Sequence, residues 1–339
     1  MTLRHRLKGE VKDWQLMKKI ILVFLVTTLF LTIVDLAHAQ QPAKISWIGY
    51  LAGSGSGPSP AFILGLRDLG YVEGKNIAFV FRTTEGKSER HADLAAELVR
   101  LKVNIIIADG TGPSLAAKKA TSTIPIVMTS ATDPVGTGLV ASLARPGGNL
   151  TGLTSVSGEL GGKWLELLKE IAPKLTRVAV LRPQGPANDL FIKETEVPAR
   201  ALGVQLIPFV VRGPDDFEGA FRAMTKERAN GLFMRLQAFV YSAHFKRVVE
   251  LTIKNRLPSI SSPTSWVDAG GLMSYGADPN INYRRAATYV DKILKGAKPA
   301  DLPVEAPTKF ELGINLQAAK QIGLTIPQSV LFRADKVIK

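Results

Sequence analysis

Residues 45–81 read ISWIGYLAGSGSGPSPAFILGLRDLGYVEGKNIAFVF, and this stretch decides the fold. The apolar run from Ile45 to Leu51 predicts a strand. Ser59 offers a helix N-cap and Pro60 a first-turn proline, Ile63, Leu66 and Leu69 make an apolar stripe, and Gly70 stops the helix. A second short apolar run, Ile77 to Phe81, then predicts another strand. Strand, amphipathic helix and strand in succession are the unit of a parallel sheet.

The pattern continues outward in both directions of reading. Ser88 to Leu101 predicts a helix with Leu94, Leu98 and Leu101 at helical spacing; Asn104 to Ala108 a strand, Pro113 to Thr121 a helix, and Pro125 to Thr129 a strand. It then repeats in outline. Arg177 to Leu181, Gln205 to Val211, Gly231 to Leu236 and Ser259 to Ser261 predict strands, and Asp189 to Leu202, Asp215 to Lys226 and Tyr241 to Asn255 predict helices. Leu69-Gly70 and Leu202-Gly203 mark the same helix-to-strand junction in each half. Two copies of one α/β architecture follow. The remainder from about Gly271 is too short for a third domain; its strand (Leu272 to Tyr275) and helix (Asn282 to Leu294) are expected to complete sheets already built and to pass through both. Leu160, Trp164, Leu168 and Ile171 share one helix stripe, which is core spacing.

At the other end, Lys18-Lys19 precedes an apolar run from Ile20 to Val34, followed by Ala37-His38-Ala39. That is the pattern of a secretory signal peptide (residues 1–39) cleaved after Ala39. The run is shorter than the roughly 20 residues a membrane-spanning helix needs. Translation starts at Met1 or Met17, and the sequence leaves this open. Cysteine is absent, which rules out disulfides, a thiolate nucleophile, a cysteine metal site and a cysteine-linked lipid anchor. An exported protein without an anchor is expected in the periplasm of a Gram-negative cell. The formal net charge is +14, but the Lys and Arg are scattered among acids with no aromatic-bearing basic stripe. An evenly basic surface, not a nucleic-acid partner, is the expectation.

Parallel α/β sheets bind ligands beyond the carboxyl ends of their strands. Four loops there are small and polar: Gly53-Ser54-Gly55-Ser56-Gly57, Asp109-Gly110-Thr111-Gly112, Ser130-Ala131-Thr132-Asp133-Pro134 and Ser274-Tyr275-Gly276. The first is not a dinucleotide fingerprint, because Pro58 stands where the last glycine belongs, and no Gly-Lys-Ser/Thr follows for a phosphate loop. No G-x-S-x-G or H-E-x-x-H occurs, so neither hydrolase nor metal chemistry is marked and no cofactor is implied. His91 and His244 fall in predicted helices and read as solvated. Asp109 and Asp133 are the acids best placed to meet a ligand, with the alternative that Asp133 caps the following turn. Trp266, Phe239 and Tyr275, in or beside predicted loops, are candidates for stacking on a ligand.

Three stretches carry a resemblance: Gly65-Leu66-Arg67-Asp68-Leu69-Gly70-Tyr71-Val72-Glu73-Gly74-Lys75-Asn76-Ile77, Thr132-Asp133-Pro134-Val135-Gly136 and Leu143-Ala144-Arg145-Pro146-Gly147-Gly148-Asn149-Leu150-Thr151-Gly152. From about Lys44 to Phe332 the chain resembles the ABC transporter substrate-binding family often labelled tryptophan/tyrosine transport. The resemblance implies an α/β type I periplasmic binding protein: two Rossmann-like lobes with parallel sheets, joined by a three-stranded hinge and closing on a ligand. It puts the crossings near Gly152 to Val156, Gly271 to Ser274 and Ala306 to Lys309. Lobe one would be 40–154 with 274–306, and lobe two 155–273 with 307–339.

The resemblance also implies a monomeric receptor that performs no catalysis and delivers a small organic ligand, an amino acid or a carboxylate, to an ABC permease in the inner membrane. The residues expected at the cleft are Ser54, Asp109, Thr111, Ser130, Asp133 and Tyr275, with Arg182, Gln237 and Ser262 from lobe two. The second lobe departs from the pattern, with Arg182-Pro183 and Leu236-Gln237 where relatives often show Asn-Pro and Asp-Asn. The resemblance therefore does not by itself extend to an aromatic amino acid ligand. Two alternatives stay open on the residues alone: a secreted α/β hydrolase-like enzyme, and a solute sensor feeding a signalling receptor.

Overall fold

The computed structural model describes Met17 and residues 45–339, except 54, 56, 156–158, 236–243 and 263–264. The leader apart from Met17, together with Ser54, Gln237 and Phe239, thus lies outside the described residues. Residues 45–339 form one unit built on two sheets.

The first sheet has strands β1 (Ser46–Ala52), β2 (Ile77–Thr83), β3 (Ile105–Asp109), β4 (Ile126–Thr132) and β5 (Leu150–Ser155), all parallel in the order β2-β1-β3-β4-β5. Helices α1 (Pro60–Asp68), α2 (His91–Arg100) and α3 (Thr111–Ala120) connect them. A parallel sheet is covered on both faces, so its strands read as continuous apolar runs, and successive residues go to opposite cores. Ile105 and Ile107 join Ile48, Tyr50 and Phe62 under α1, whereas Ile106 and Ala108 join Leu94, Leu98 and Ala117 under α2 and α3.

The chain leaves this sheet after Ser155 and enters α4 (Glu159–Ile171), which packs in the second half. There follow β6 (Arg177–Arg182), α5 (Pro186–Ala201), β7 (Gln205–Val210), α6 (Phe217–Lys226), β8 (Gly231–Met234), α7 (Phe245–Lys254), β9 (Ser259–Ser261), α8 (Ser265–Asp268) and β10 (Met273–Gly276). With β11 (Glu311–Asn315) and β12 (Lys336–Ile338) from the end of the chain, the strand order is β12-β11-β10-β9-β8-β6-β7, and among the described residues β10–β11 is its antiparallel pair. The same alternation holds: Val178 and Val180 face the core of Trp164 and Phe191, Ala179 and Leu181 that of Phe217 and Trp266.

Helix α9 (Pro279–Leu294) then returns to the first half, where Ala286, Ala287 and Val290 pack against Phe62 and Leu66. Ser274 to Gly276, expected with lobe one, hydrogen-bond inside the second sheet, so the chain returns at about Asp278 and not at Gly271 to Ser274. The apolar run had simply not ended: Met273 is buried between β9 and β11. Leu153 bridges Glu305, and the last passage leads into β11 (Glu311–Asn315), α10 (Leu316–Ile322), α11 (Gln328–Leu331) and β12 (Lys336–Ile338) of the second sheet. Two lobes threaded this way are the type I periplasmic binding protein architecture.

Candidate functional site

The lobe-one half begins where β3 ends. Asp109 is its last residue, Gly110 turns the chain at φ 102°, and α3 starts at once with Thr111. The carboxylate accepts from Thr129 Oγ1 (2.7 Å) and Ser130 Oγ (3.3 Å) on β4, Tyr283 OH (2.9 Å) on α9 and Tyr50 OH (3.3 Å) on β1. Burial holds its pKa above the usual carboxylate value, and the four hydroxyls, by bonding the ionised form, offset only part of that rise. Both oxygens are therefore engaged within the lobe, and Asp109 ties the returning helix to the sheet. Nearby, Thr111 Oγ1 accepts from Thr132 N (2.9 Å), the Thr132 and Ser155 hydroxyls lie 3.1 Å apart, and Ser155 Oγ donates to Ser130 O (3.1 Å).

Asp133 does something different. It sits at φ 37°, its Oδ1 accepts from Gly136 N (2.9 Å), and its carbonyl accepts from Thr137 N (3.0 Å) and Thr137 Oγ1 (2.7 Å). The side chain is folded over its own turn as a cap. Asp133→Ala should accordingly cost about 0.5–2 kcal/mol of stability, by analogy with helix caps, with ligand affinity little changed. Thermal unfolding and calorimetric titration of one variant read both quantities; lost affinity in an equally stable protein would return Asp133 to the ligand.

In lobe two, β6 ends in Arg182 and Arg235 directly follows β8. Leu181 pairs with Met234 in register, and Arg235 N donates to Leu181 O (2.9 Å), so the two arginines sit side by side. Arg182 is 8% exposed; its guanidinium meets Asp189 at 2.8 Å and Pro183 O at 3.4 Å, while its Nε is buried without a partner. Arg235 is half-buried, donates from Nε to Asn188 Oδ1 (3.2 Å) and lies over the Phe191 ring at 3.9 Å. Burial first, then repulsion from Arg182, pushes its pKa down to about 10.

The remaining expectations divide. Ser262 is half-buried at the end of β9, its Oγ against the backbone of Gly276. Tyr275 stacks on Phe310 (5.7 Å between centroids), and its carbonyl accepts from Trp164 Nε1 (2.8 Å). Trp266 is fully buried beside Phe245, so it belongs to the core and not to a ligand; the predicted loop there is the short α8. His91 is half-buried, not solvated: Nδ1 lies 2.8 Å from Ser88 O, and burial lowers its pKa. Among the described residues no group of three or more His, Cys, Asp or Glu is set to hold a metal ion.

The two halves meet at the loop after β4 and the first turns of α5. A methyl group on Gly136 would come within 2.9 Å of Leu190 Cδ2. Sequence reasoning missed Tyr50, Tyr283 and Thr129, whose common partner lies 59, 174 and 20 residues away. It also missed Arg235, for which a signal existed: Leu232-Phe233-Met234-Arg235 closes an apolar run just as Ala179-Val180-Leu181-Arg182 does.

Comparison with known proteins agrees with this fold. A curated "Tyrosine-binding protein" of Clostridioides difficile (strain R20291) is 27% identical over 264 residues, 78% of this chain and 75% of that protein. A conserved domain protein of Vibrio cholerae superposes with a TM-score of 0.77 at 29% identity, covering 87% of this chain and 99% of the other. An ABC domain in complex with L-Trp from Streptococcus pneumoniae gives 0.76 at 26% identity, covering 87% and 100%. The family model described as ABC transporter substrate binding protein matches residues 60–338, and the chain belongs to that family.

Proposed function

We propose that the chain is a periplasmic receptor that traps one small organic solute between its lobes and hands it, unchanged, to an ABC permease in the inner membrane. The observation that carries this reading is the gathering of charged and hydroxyl side chains at the carboxyl ends of both sheets, with the lobes' edges meeting at Gly136 and Leu190. Lobe one supplies Thr111, Ser130 and the hydroxyl network on Asp109; lobe two supplies Arg182, with Ser262 and Tyr275 at the neighbouring strand ends. These groups donate hydrogen bonds and fix charge, which is what orienting a ligand requires. Export rests on Lys18-Lys19, the apolar run and Ala37-His38-Ala39. The relatives named for tyrosine and bound to L-Trp support a small organic solute, and the receptor is taken to act as a monomer.

Protein purified from the periplasm, unfolded and analysed by mass spectrometry should release a small molecule. Added back to the refolded chain, that molecule should raise the melting temperature and be recovered with its mass intact. Recovery as a different compound would make the protein an enzyme. Loss of uptake on deleting the gene separates delivery to a permease from signalling.

A further inference from the structure

The paired arginines of lobe two specify more than a polar ligand. Register partners on adjacent parallel strands point to the same face, so Arg182 and Arg235 project together beyond the carboxyl ends of β6 and β8. A guanidinium cannot shed its charge under physiological conditions, and an enclosed charge needs a counter-charge and acceptors for its N–H groups. Among the described residues one carboxylate, Asp189, touches the pair, through Arg182 alone and with a side chain 60% exposed to water. Glu194 acts on Arg235 through space. Two fixed positive charges thus sit side by side with one carboxylate in contact and a second acting from a distance, and the Arg182 Nε–H, buried, has no acceptor.

Arg235 lies over the Phe191 ring and is anchored through Nε to Asn188, which limits the freedom its terminal fork can lose on binding. On the other side of the site, Asp109 already accepts from four hydroxyls and is poorly placed to neutralise an ammonium group. Resting on the receptor reading above, we propose that the ligand is a net-anionic organic acid, its carboxylate held by Arg182 and Arg235, and that a zwitterionic amino acid is the poorer fit.

The test is calorimetric titration of the ligand-stripped mature chain with propionate, benzoate and 3-(4-hydroxyphenyl)propionate, each beside its neutral amide, and with L-tyrosine, L-tryptophan and inorganic phosphate. At least one carboxylate should bind tenfold or more tightly than its amide and than either amino acid, an order-of-magnitude expectation for a lost charge-assisted pair. Arg182→Gln and Arg235→Gln should each weaken that binding about 30-fold or more, and Arg235→Lys, which keeps the charge without the fork, should fall between. Without ligand, Arg235→Gln should melt no lower than the parent, because it removes a repulsion. An amide, amino acid or phosphate that binds as well as any acid, acid binding that survives both glutamine variants, or no binding by any acid would overturn the proposal. Tight L-tyrosine or L-tryptophan binding indifferent to both arginines would do so while leaving the receptor reading intact.

Discussion

Replacing Gly152 with alanine should leave a protein that is poorly folded or melts far below the parent. Gly152 lies in β5 at φ 128°, a region L-residues rarely adopt, and it pairs with Met128 across the β4–β5 ladder. A Cβ there would fall on the Met128 carbonyl oxygen and lie 2.7 Å from Met128 N. These obstacles are main-chain atoms of the neighbouring strand β4, so no rotamer change relieves them. Backbone strain of about 1–3 kcal/mol adds to overpacking of about 1–3 kcal/mol, a large fraction of a typical domain's stability. The consequence reaches the hinge, because β5 carries the chain to its first crossing and the register of its ladder shifts between Met128 and Ala131. Chemical unfolding measures the cost; an alanine variant as stable as the parent would show that β5 does not pair with β4 as described.

Trp164→Ala should cost about 3–5 kcal/mol, the range for a buried large aromatic cut to alanine. The indole is 1% exposed and meets Phe191 and Phe233 edge-on, with centroids 5.9 and 5.3 Å away. Its Nε1–H also donates to the Tyr275 carbonyl at 2.8 Å, so truncation leaves a cavity and removes a part-buried hydrogen bond. Trp164→Phe separates the two effects, since it refills much of the space and restores no hydrogen bond. If alanine and parent unfold at the same denaturant concentration, the α4 packing is wrong. A side effect is informative: Phe191 also supports Arg235, so loss of Trp164 should loosen the arginine pair and weaken ligand binding.

The architecture was legible because apolar runs and helix punctuation are local. Gly70 and Gly203 adopt φ 85° and 65° at the two Leu-Gly junctions, as a helix stop before a strand requires. Local signals also erred where the backbone did something unmarked. Ser59 makes no side-chain cap bond, and α3 starts at Thr111, ahead of the expected Pro113, because Gly110 completes the turn on its own. The site was half legible. Asp109, Thr111, Ser130 and Arg182 follow from the rule that ligands gather at strand carboxyl ends, whereas Tyr50 and Tyr283 meet Asp109 only through tertiary folding. Trp266 was misread because a large aromatic closing a core and one facing a ligand look alike in a sequence. The stretches that carry the family resemblance turn out to be largely turn-builders: Asn76 Oδ1 accepts from Val72 N, Asn149 Nδ2 donates to Thr121 O and Ile124 O, and Asp133 holds Gly136.

In the proposed receptor lobe one would offer the ligand hydroxyls around an engaged carboxylate and lobe two fixed positive charge, so that the ligand touches both. The bound state should therefore be the more closed one. Small-angle X-ray scattering of the chain stripped of ligand by unfolding and refolding, and again with its released ligand restored at saturation, tests this directly. The account predicts a smaller radius of gyration for the bound form; an identical scattering curve with and without the bound molecule would contradict it.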